Sequence, residues 1–391
     1  MSTPLELRVV SDVAEFDRLR APWNAACDAS VDANVFLTWE WLRTWWEHFG
    51  AAAQLHVITM WERDDLVATA PLMRSRVGVG PVVGTFFESV SHDAGDYGGI
   101  VLVRREEEAV ALLLGHLEEV ATSRGHPVVF SRLVADSHFV EFLRRSLRGV
   151  PGIGYSEVPL DGSCPYTDAT AGFDLRKAAK RHKIGQRLRR LEERHREVVF
   201  EHHTHGRLEA GLDAFLEVHR RRWAGETDRL QGLLADPASE RFLLDAIRAL
   251  DIVGRTRLLT LSADGRPIAV ELDLEYRSRL YMLKGAFDPD YGEFSPGQLV
   301  NHRAIADALQ RGITEVDFMR GGQEYKRRWA NGERTLLAAM LSRRGVPGRL
   351  DRGRTRAARS LRRRHRRVRR SPAAEPTRRP ETLHGERLSN E

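Results

Sequence analysis

One stretch of the chain, residues 279–329, constrains the fold more than any other. Its pattern predicts a strand, a Ser-Pro-Gly loop, a helix that begins at Pro296 and stops at Gly312, a second strand and a polar turn. The apolar residues at helical spacing on one face of this helix are Val300, Ala304, Ile305, Ala308 and Leu309. The first N–H groups of a helix lack partners within the helix, so they can bind an anion. The stretch therefore predicts an α/β unit with a place for a pyrophosphate.

The order of predicted elements occurs twice along the chain. In each half a helix precedes three strands, a second helix and a further strand, over residues 36–131 and then over residues 212–317. Two tandem copies of one α/β unit explain this order most simply. A stretch rich in Pro, Gly, Asp and Ser, residues 149–172, separates the copies. The predicted divisions are an N-terminal domain (1–155), a C-terminal domain (156–345) and a tail (346–391).

The two copies differ where their second helix begins. In the first copy Glu106, Glu107 and Glu108 occupy the first turn. Three carboxylates suit the helix dipole, but they would repel a pyrophosphate. The same turn of the second copy, Ser-Pro-Gly-Gln at residues 295–298, carries no charge. We therefore expect only the C-terminal domain to bind a phosphorylated co-substrate.

Two motifs carry a resemblance to a known family. Residues 295–299 read SPGQL, and residues 317–329 read DFMRGGQEYKRRW. Together they resemble the GNAT-related acetyltransferases linked to bacterial cellulose and exopolysaccharide synthesis, called CelD-like or BioF2-like, which are relatives of the FemAB aminoacyl transferases. The resemblance spans roughly residues 5–345. It implies an α/β (α+β) fold of tandem duplicated GNAT-like acyltransferase domains, each a mixed, largely antiparallel sheet flanked by helices, with acetyl-CoA (acyl-CoA) as co-substrate.

The same resemblance implies roles for particular residues. Asp317 and Glu271 are candidates for the base that deprotonates an amine acceptor, and Tyr325 for the acid that protonates the leaving thiolate. Lys326 would hold an acidic group on the acceptor. The residues expected to bind acetyl-CoA, at its thioester carbonyl or its pyrophosphate, are Leu283, Lys284, Gly285, Ser295, Pro296, Gly297, Gln298 and Leu299. The residues expected to contact the acceptor are His219, Arg222, Trp223 and Arg320.

Two further stretches lie close to these candidates in the predicted order. Residues 268–276 alternate apolar side chains with a second set that includes Glu271 and Asp273. One face of this strand should therefore pack inward while the other carries carboxylates. In the first copy, a Gly-rich loop holds Asp93, Asp96 and Tyr97. This loop either lines a cleft between the domains or simply forms a turn.

Basic residues are concentrated in two segments. Residues 175–196 hold ten Lys or Arg residues and a narrow apolar face, which predicts one amphipathic helix on the surface. That helix is either a wall for an acidic substrate or for the 3′-phosphate of coenzyme A, or an ordinary solvated helix. Residues 343–391 carry 17 arginines against five acidic residues, a net charge of +12, so the other 342 residues carry −6. We predict a disordered tail, which either contacts an anionic surface or is an extension whose sequence drifts without a function.

Composition excludes several classes of protein. The apolar runs are far shorter than a membrane span requires, and residues 1–10 lack a basic segment followed by an apolar one. We therefore expect a cytoplasmic protein, peripheral to the inner membrane face if the tail binds lipid. Cys27 and Cys164 are too few for a disulfide framework, and we expect no metal site.

Three functions remain open at this point. The first is acyl-CoA-dependent N-acyl transfer, by an acetyltransferase that acts on a small-molecule or glycan amine such as an amino sugar or a cell-envelope or exopolysaccharide precursor. The second is FemAB-like aminoacyl transfer from charged tRNA, which the basic segments would suit. The third is a non-catalytic scaffold for a polysaccharide synthase. A GNAT-like fold serves many acceptors, so the resemblance implies the reaction type more directly than the substrate.

Overall fold

The computed structural model describes residues 3–79, 82–147, 150, 152–204, 206–223, 236–321 and 323–345. The predicted tail, residues 346–391, lies outside the described residues. Across the part described, the chain forms two β-sheets flanked by helices. The predicted mixed α/β class is therefore confirmed.

The elements follow in chain order. The strands are β1 (Glu6–Val10), β2 (Ala53–Glu62), β3 (Asp65–Val79), β4 (Val82–Ser89), β5 (Val101–Leu102), β6 (Val128–Val134), β7 (Ile153–Pro159), β8 (Cys164–Asp168), β9 (Val198–His203), β10 (Thr256–Ala263), β11 (Arg266–Tyr276), β12 (Arg279–Phe287), β13 (Glu315–Asp317), β14 (Gly332–Arg334) and β15 (Leu336–Arg343). The helices are α1 (Val13–Arg18), α2 (Arg20–Ala29), α3 (Trp39–Phe49), α4 (Glu106–Leu117), α5 (His138–Ser146), α6 (Leu175–Arg181), α7 (Ile184–Arg194), α8 (Leu208–Trp223), α9 (Pro237–Ile252), α10 (Pro296–Gln310) and α11 (Glu324–Trp329). The short turns are the 3₁₀ segments Val35–Leu37, Gly50–Ala52 and Pro289–Phe294 and a π segment, Glu118–Thr122, that continues α4.

Both sheets contain the same core unit. The first has the strand order β1-β2-β3-β4-β6-β15-β7, with β5 on the side of β3, and the second has the order β14-β8-β13-β12-β11-β10-β9. In each, an antiparallel meander ends in a parallel pair, β4 with β6 and β12 with β13. The helices α4 and α10 connect these parallel pairs. The predicted duplication is thus visible in the topology.

The end of the chain joins the two sheets. The predicted C-terminal domain runs to residue 345, yet the last strand in that range, β15, inserts between β6 and β7 of the first sheet. β8, which directly follows the first half, pairs with β13 and β14 of the second sheet. The domain bounds at residues 155 and 345 stay predictions, since the sheets do not divide the chain at one point.

Helix α10 and strand β11 form the centre of the second half. The apolar face predicted for α10 is buried, with Val300, Ile305 and Ala308 fully inaccessible. It packs on one face of β11, while α8 covers the opposite face. The alternation predicted for β11 is present, yet the carboxylates lie beneath α10 rather than in solvent: Glu271 is 4% exposed and Asp273 2%.

The single amphipathic helix predicted over residues 175–196 is wrong, because this stretch forms two helices, α6 and α7. Lys183, between them, has a left-handed backbone with φ of 54°. The preceding His182 stacks on Trp329, with ring centroids 4.1 Å apart. This contact joins residues far apart in the chain, so helical spacing alone could not reveal the break.

Candidate active site

A cleft opens in the second sheet where β12 and β13 diverge. β12 pairs with β11 along its length, but with β13 only over Arg279–Tyr281. A β-bulge falls in the diverging part, because Leu272 and Asp273 of β11 pair with Lys284 and Met282 and leave Leu283 unmatched. No other strand in the described residues pairs with this edge of β12. Its backbone N–H groups are therefore available to a ligand in the cleft.

The N-terminus of α10 faces the end of the same strand. Ser295 has a left-handed backbone, φ 51°, and turns the chain from the 3₁₀ segment into the helix, with Pro296 in the first turn. No side chain caps the helix, Pro296 has no N–H, and the Gln298 N–H donates to the Ser295 carbonyl at 2.9 Å, so the Gly297 N–H stays available to a ligand. A Cβ atom at Gly297 would lie 3.3 Å from the Phe287 ring, which brings the first turn of α10 close to β12. The strand edge and the helix N-terminus thus lie on one side of the molecule.

Glu271 lies beneath this edge of β12. Gly285 is paired with it across the strands, and a Cβ atom at Gly285 would collide with the Glu271 carboxylate, so the absence of a side chain makes room for the acid. The Asn301 amide of α10, with its nitrogen turned toward both acceptors, donates to Glu271 Oε2 at 2.8 Å and to the Gly297 carbonyl at 2.8 Å. Burial raises the pKa of Glu271 to about 8, although the positive charge of Lys326 opposes the shift. At neutral pH this carboxyl group is therefore mostly protonated, and its ionised share grows as the pH approaches 8.

Helix α11 brings two further predicted residues to Glu271. The Tyr325 side chain is 42% exposed. Burial of its hydroxyl, together with the charge of Glu271, raises the pKa of Tyr325 above its ordinary value. Lys326 donates from Nζ to the Arg320 carbonyl at 3.2 Å. Burial lowers the pKa of Lys326, while Asp96 and Glu271 act in the opposite direction. An acid, a phenol and an amine therefore meet at one side of the cleft.

Asp317, at the end of β13, has every polar contact inside the protein. The Tyr97 hydroxyl donates to it at 2.5 Å, the Met319 N–H at 2.8 Å and the Arg334 guanidinium at 3.2 Å. Its side chain is fully buried. Burial raises the pKa of Asp317 to about 6, against the effects of Tyr97 and Arg334. This geometry suits an acid that braces the turn after β13 better than one that meets a substrate.

The loop around Asp96 and Tyr97 comes from the first half and lines the same cleft. Asp96 accepts the Arg320 N–H at 3.0 Å, and its charge acts on both Lys284 and Lys326. The sequence allowed two interpretations of this loop, a wall of the cleft or a simple turn. The structure makes it a wall, and Asp96 and Tyr97 are the main residues absent from the predicted site.

The same loop fills the equivalent gap in the first sheet. β4 pairs with β6 only at Phe87 and Glu88. The corresponding strands of the second sheet, β12 and β13, also pair over a few residues only. Beyond Phe87 and Glu88, Gly98 donates its N–H to the Arg132 carbonyl at 2.8 Å. A Cβ atom at Gly98 would collide with the Ser131 carbonyl oxygen, so this close approach requires glycine. The gap that stays open in the second half is closed by the protein itself in the first.

The residues predicted to contact the acceptor lie at the end of α8. His219 is 5% exposed, and burial, with the charges of Lys284 and Arg220, lowers its pKa to about 4. The Arg222 guanidinium lies 4.6 Å above the Trp223 ring and 5.1 Å from the Phe287 ring. Because Phe287 borders the first turn of α10, Arg222 places a positive charge near that helix N-terminus. The sequence motif gave no indication of this.

The remaining predicted residues hold the cleft together. Gln298 accepts a hydrogen bond from Trp329 Nε1 at 3.2 Å, which ties α10 to α11. Pro296 and Leu299 are buried and can offer only backbone atoms.

Within the described ranges no group of three or more His, Cys, Asp or Glu residues could hold a metal ion. The helices in the same ranges include none with the length and apolar character of a membrane span.

Part of the chain is similar in sequence to a known acyltransferase domain. Residues 178–327 match the acetyltransferase (GNAT) domain. This region is similar to that domain, and it makes up less than half of the chain. It contains α7, β9 to β13, α8 to α10 and most of α11, so it holds the diverging strands, the bulge and the uncapped helix N-terminus described above. No curated protein sequence matches the chain.

Solved structures with the same fold extend over both halves. FemX shares 14% identity, with a TM-score of 0.57 over 84% of this chain and 96% of FemX. A domain described as the C-terminal part of a lysylphosphatidylglycerol synthetase from Agrobacterium fabrum shares 12% identity, with a TM-score of 0.53 over 84% of this chain and 92% of that one. L-PGS from Bacillus licheniformis shares 13% identity, with a TM-score of 0.50 over 78% of this chain and 92% of L-PGS. At such identities the similarity concerns the fold alone, and it extends over both halves of this chain.

Proposed function

We propose that this protein is an N-acetyltransferase that moves an acyl group from acyl-CoA to an amine, and that it is of the CelD-like or BioF2-like type. The observation that carries the proposal is the divergence of β12 from β13, with a bulge at Leu283 opposite the uncapped N-terminus of α10. That combination offers backbone N–H groups to a carbonyl at one point and to a pyrophosphate at another. The matched GNAT domain supports acyl transfer as the reaction.

The donor fits the residues at both points. Backbone N–H groups of Leu283, Lys284 and Gly285 would hold the thioester carbonyl, where charge develops during acyl transfer. The first turn of α10 at Gly297 would take the pyrophosphate, and Arg222 would add a positive charge beside it. Acyl-CoA supplies the activated thioester, and the protein supplies its orientation.

The acceptor would enter the cleft from the side of Lys284 and Lys326. An ammonium acceptor must lose a proton, and Glu271 can take it in its ionised form, whose share grows as the pH approaches the pKa of about 8. Tyr325 would return a proton to the departing thiolate. Lys284 and Lys326 form a positive patch that would hold an acidic group on the acceptor, as an amino sugar phosphate or a cell-envelope or exopolysaccharide precursor carries.

Aminoacyl transfer from charged tRNA is the second candidate. Two observations favour it: the fold shared with FemX, and the exposed basic side chains of α6 and α7, which include Arg176, Lys180, Arg189 and Arg194. Helix α7 packs against α10, so a polyanion bound to the exposed side of α7 would lie near the helix that borders the cleft. A scaffold role is the third candidate and would need no turnover.

Calorimetric titration of the full chain with acetyl-CoA tests the proposal. Gly297→Val should weaken binding at least about tenfold, because the added branches would press on Phe287 and on the space before the helix N–H groups. Gly292→Val is the matched control, since a Cβ atom there meets nothing within 4 Å. Failure of the unmodified protein to bind acetyl-CoA, together with saturable binding of aminoacyl-tRNA, would replace the first candidate with the second.

A further inference from the structure

A second cavity, of about 590 Å³, opens on the first sheet and shares no residue with the cleft. Its principal lining residues are Gln54, His56, Arg74, Phe87, Arg124 and His126. Three of them form a row across neighbouring strands, because Gln54 of β2 pairs with Arg74 of β3 and Arg74 pairs with Phe87 of β4. The π segment after α4 ends at Thr122, and the chain then turns at the rim of the cavity. We call this site the Arg74 cavity.

The Arg74 cavity is positively charged and has no carboxylate in its lining. The Arg74 side chain is half-buried, and among the described residues it donates a hydrogen bond to Gln54 Oε1 at 3.3 Å. In the part of the chain that the structure describes, neither Arg74 nor Arg124 forms an ion pair. Other arginines of the same half do, as Arg144 does with Glu157 at 2.7 Å. A half-buried cation without a counter-charge is unfavourable, and a bound anion would relieve that cost.

Aromatic and imidazole rings complete the site. The Phe87 ring lies between the rings of His56 and His126, with centroid distances of 4.9 Å and 6.4 Å. His56 Nε2 lies 3.2 Å from His116 Nε2, which holds the His56 ring in place. Burial, with the charges of His116 and Arg74, lowers the pKa of His56 to about 4. The cavity therefore combines arginine cations with the Phe87 ring and the His56 ring, which is neutral at pH 7, and both rings can bind an organic group.

We propose that the Arg74 cavity binds a small phosphate ester that carries a planar or apolar group. Two guanidinium groups offer more N–H donors than the two oxygens of one carboxylate can accept, whereas the three terminal oxygens of a phosphate monoester suit them. The volume is that of an ordinary small-molecule pocket and leaves room beyond the phosphate for a group packed on Phe87. The site is separate from the acyl-transfer cleft, so the proposal does not rest on the proposed function.

Calorimetric titration of the full chain with phenyl phosphate tests this site. The solution should contain 0.15 M salt, because ionic screening beyond about 8 Å weakens diffuse binding to the arginine-rich segments. We expect saturable binding that Arg74→Gln weakens at least about tenfold, since the substitution removes a charge-assisted fork of hydrogen bonds. Arg76→Gln is the matched control: it removes the same charge two residues along β3, from an exposed side chain outside the lining.

Benzoate and inorganic phosphate complete the experiment. Benzoate should bind more weakly than phenyl phosphate if a phosphate group is preferred, and inorganic phosphate should bind at the same site more weakly than the ester if Phe87 contributes. If Arg74→Gln does not fold, Arg124→Gln replaces it, because Arg124 is exposed at the rim. Absence of saturable binding, unchanged affinity in the Arg74→Gln protein, an equal loss in the Arg76→Gln protein, or benzoate binding as tightly as the ester would each overturn the proposal.

Discussion

Replacing Glu271 with Gln should make the protein more stable and far less active. The pKa of Glu271 rises from an ordinary 4.5 to about 8 in the folded protein. Between those two values the folded state holds a proton that the unfolded state has released, so the free energy of unfolding falls as the pH rises. Each pH unit in this window costs about 1.4 kcal/mol, which amounts to roughly 3 kcal/mol at pH 7. A glutamine cannot ionise, and its carbonyl can still accept the hydrogen bond from Asn301.

Urea unfolding at several pH values measures this effect. The two proteins should have nearly equal stability at pH 4.5, and the variant should gain progressively up to about pH 8, where the difference levels off. Glu275→Gln is a control on the same strand. Because Glu275 forms ion pairs with Arg257 and Arg311, its replacement should give no gain that grows with pH. Parallel stability curves for the unmodified protein and Glu271→Gln would refute the reasoning, since they would mean that Glu271 ionises as freely in the folded state as in the unfolded state.

Four further outcomes follow from the structure. Tyr325→Phe should lower the rate about 100-fold or more in steady-state assays with little change in acetyl-CoA affinity, because only the proton donor is removed. A rate equal to that of the unmodified protein would exclude Tyr325 as the proton donor. Tyr97→Phe should lower the free energy of unfolding in urea by about 1–3 kcal/mol, because it removes a hydrogen-bond donor from the buried Asp317. An unchanged free energy of unfolding would mean that the Tyr97–Asp317 hydrogen bond does not stabilise the fold. Deletion of residues 349–391 should leave turnover unchanged and reduce the salt-sensitive fraction of protein that sediments with anionic vesicles. A truncated protein that does not fold would contradict this prediction. Residues 156–345 alone should lack a cooperative unfolding transition, because β15 would lose its partner β6; a sharp transition would show an independent domain.

The sequence predicts those parts of the fold that depend on local spacing. The buried face of α10 and the two faces of β11 follow from periods of 3.6 and 2 residues, which the chain obeys in both elements. The repeated order of elements predicted the two related halves. The break between α6 and α7 could not be predicted in this way, because it depends on His182 stacking against Trp329, a contact across the fold.

The candidate site divides along the same line. Glu271, Lys284 and Tyr325 were expected from their motif and strand positions, and the structure brings them to one cleft. The environment of Asp317 could not be predicted, since its strongest hydrogen bond comes from Tyr97, 220 residues earlier in the chain. The burial of the β11 carboxylates was also out of reach, because alternation alone does not show what covers a polar face.

The two halves have diverged in a coupled way. Both place a left-handed residue directly before the second helix, Arg105 with φ of 52° and Ser295 with φ of 51°, so the chain enters both helices with the same backbone conformation. In the first half the loop that carries Gly98 closes the gap beside β6. The same loop then carries Asp96 to the cleft of the second half. Opening the first gap would move this loop and remove a wall of the second cleft, so the chain can keep one complete site but not two.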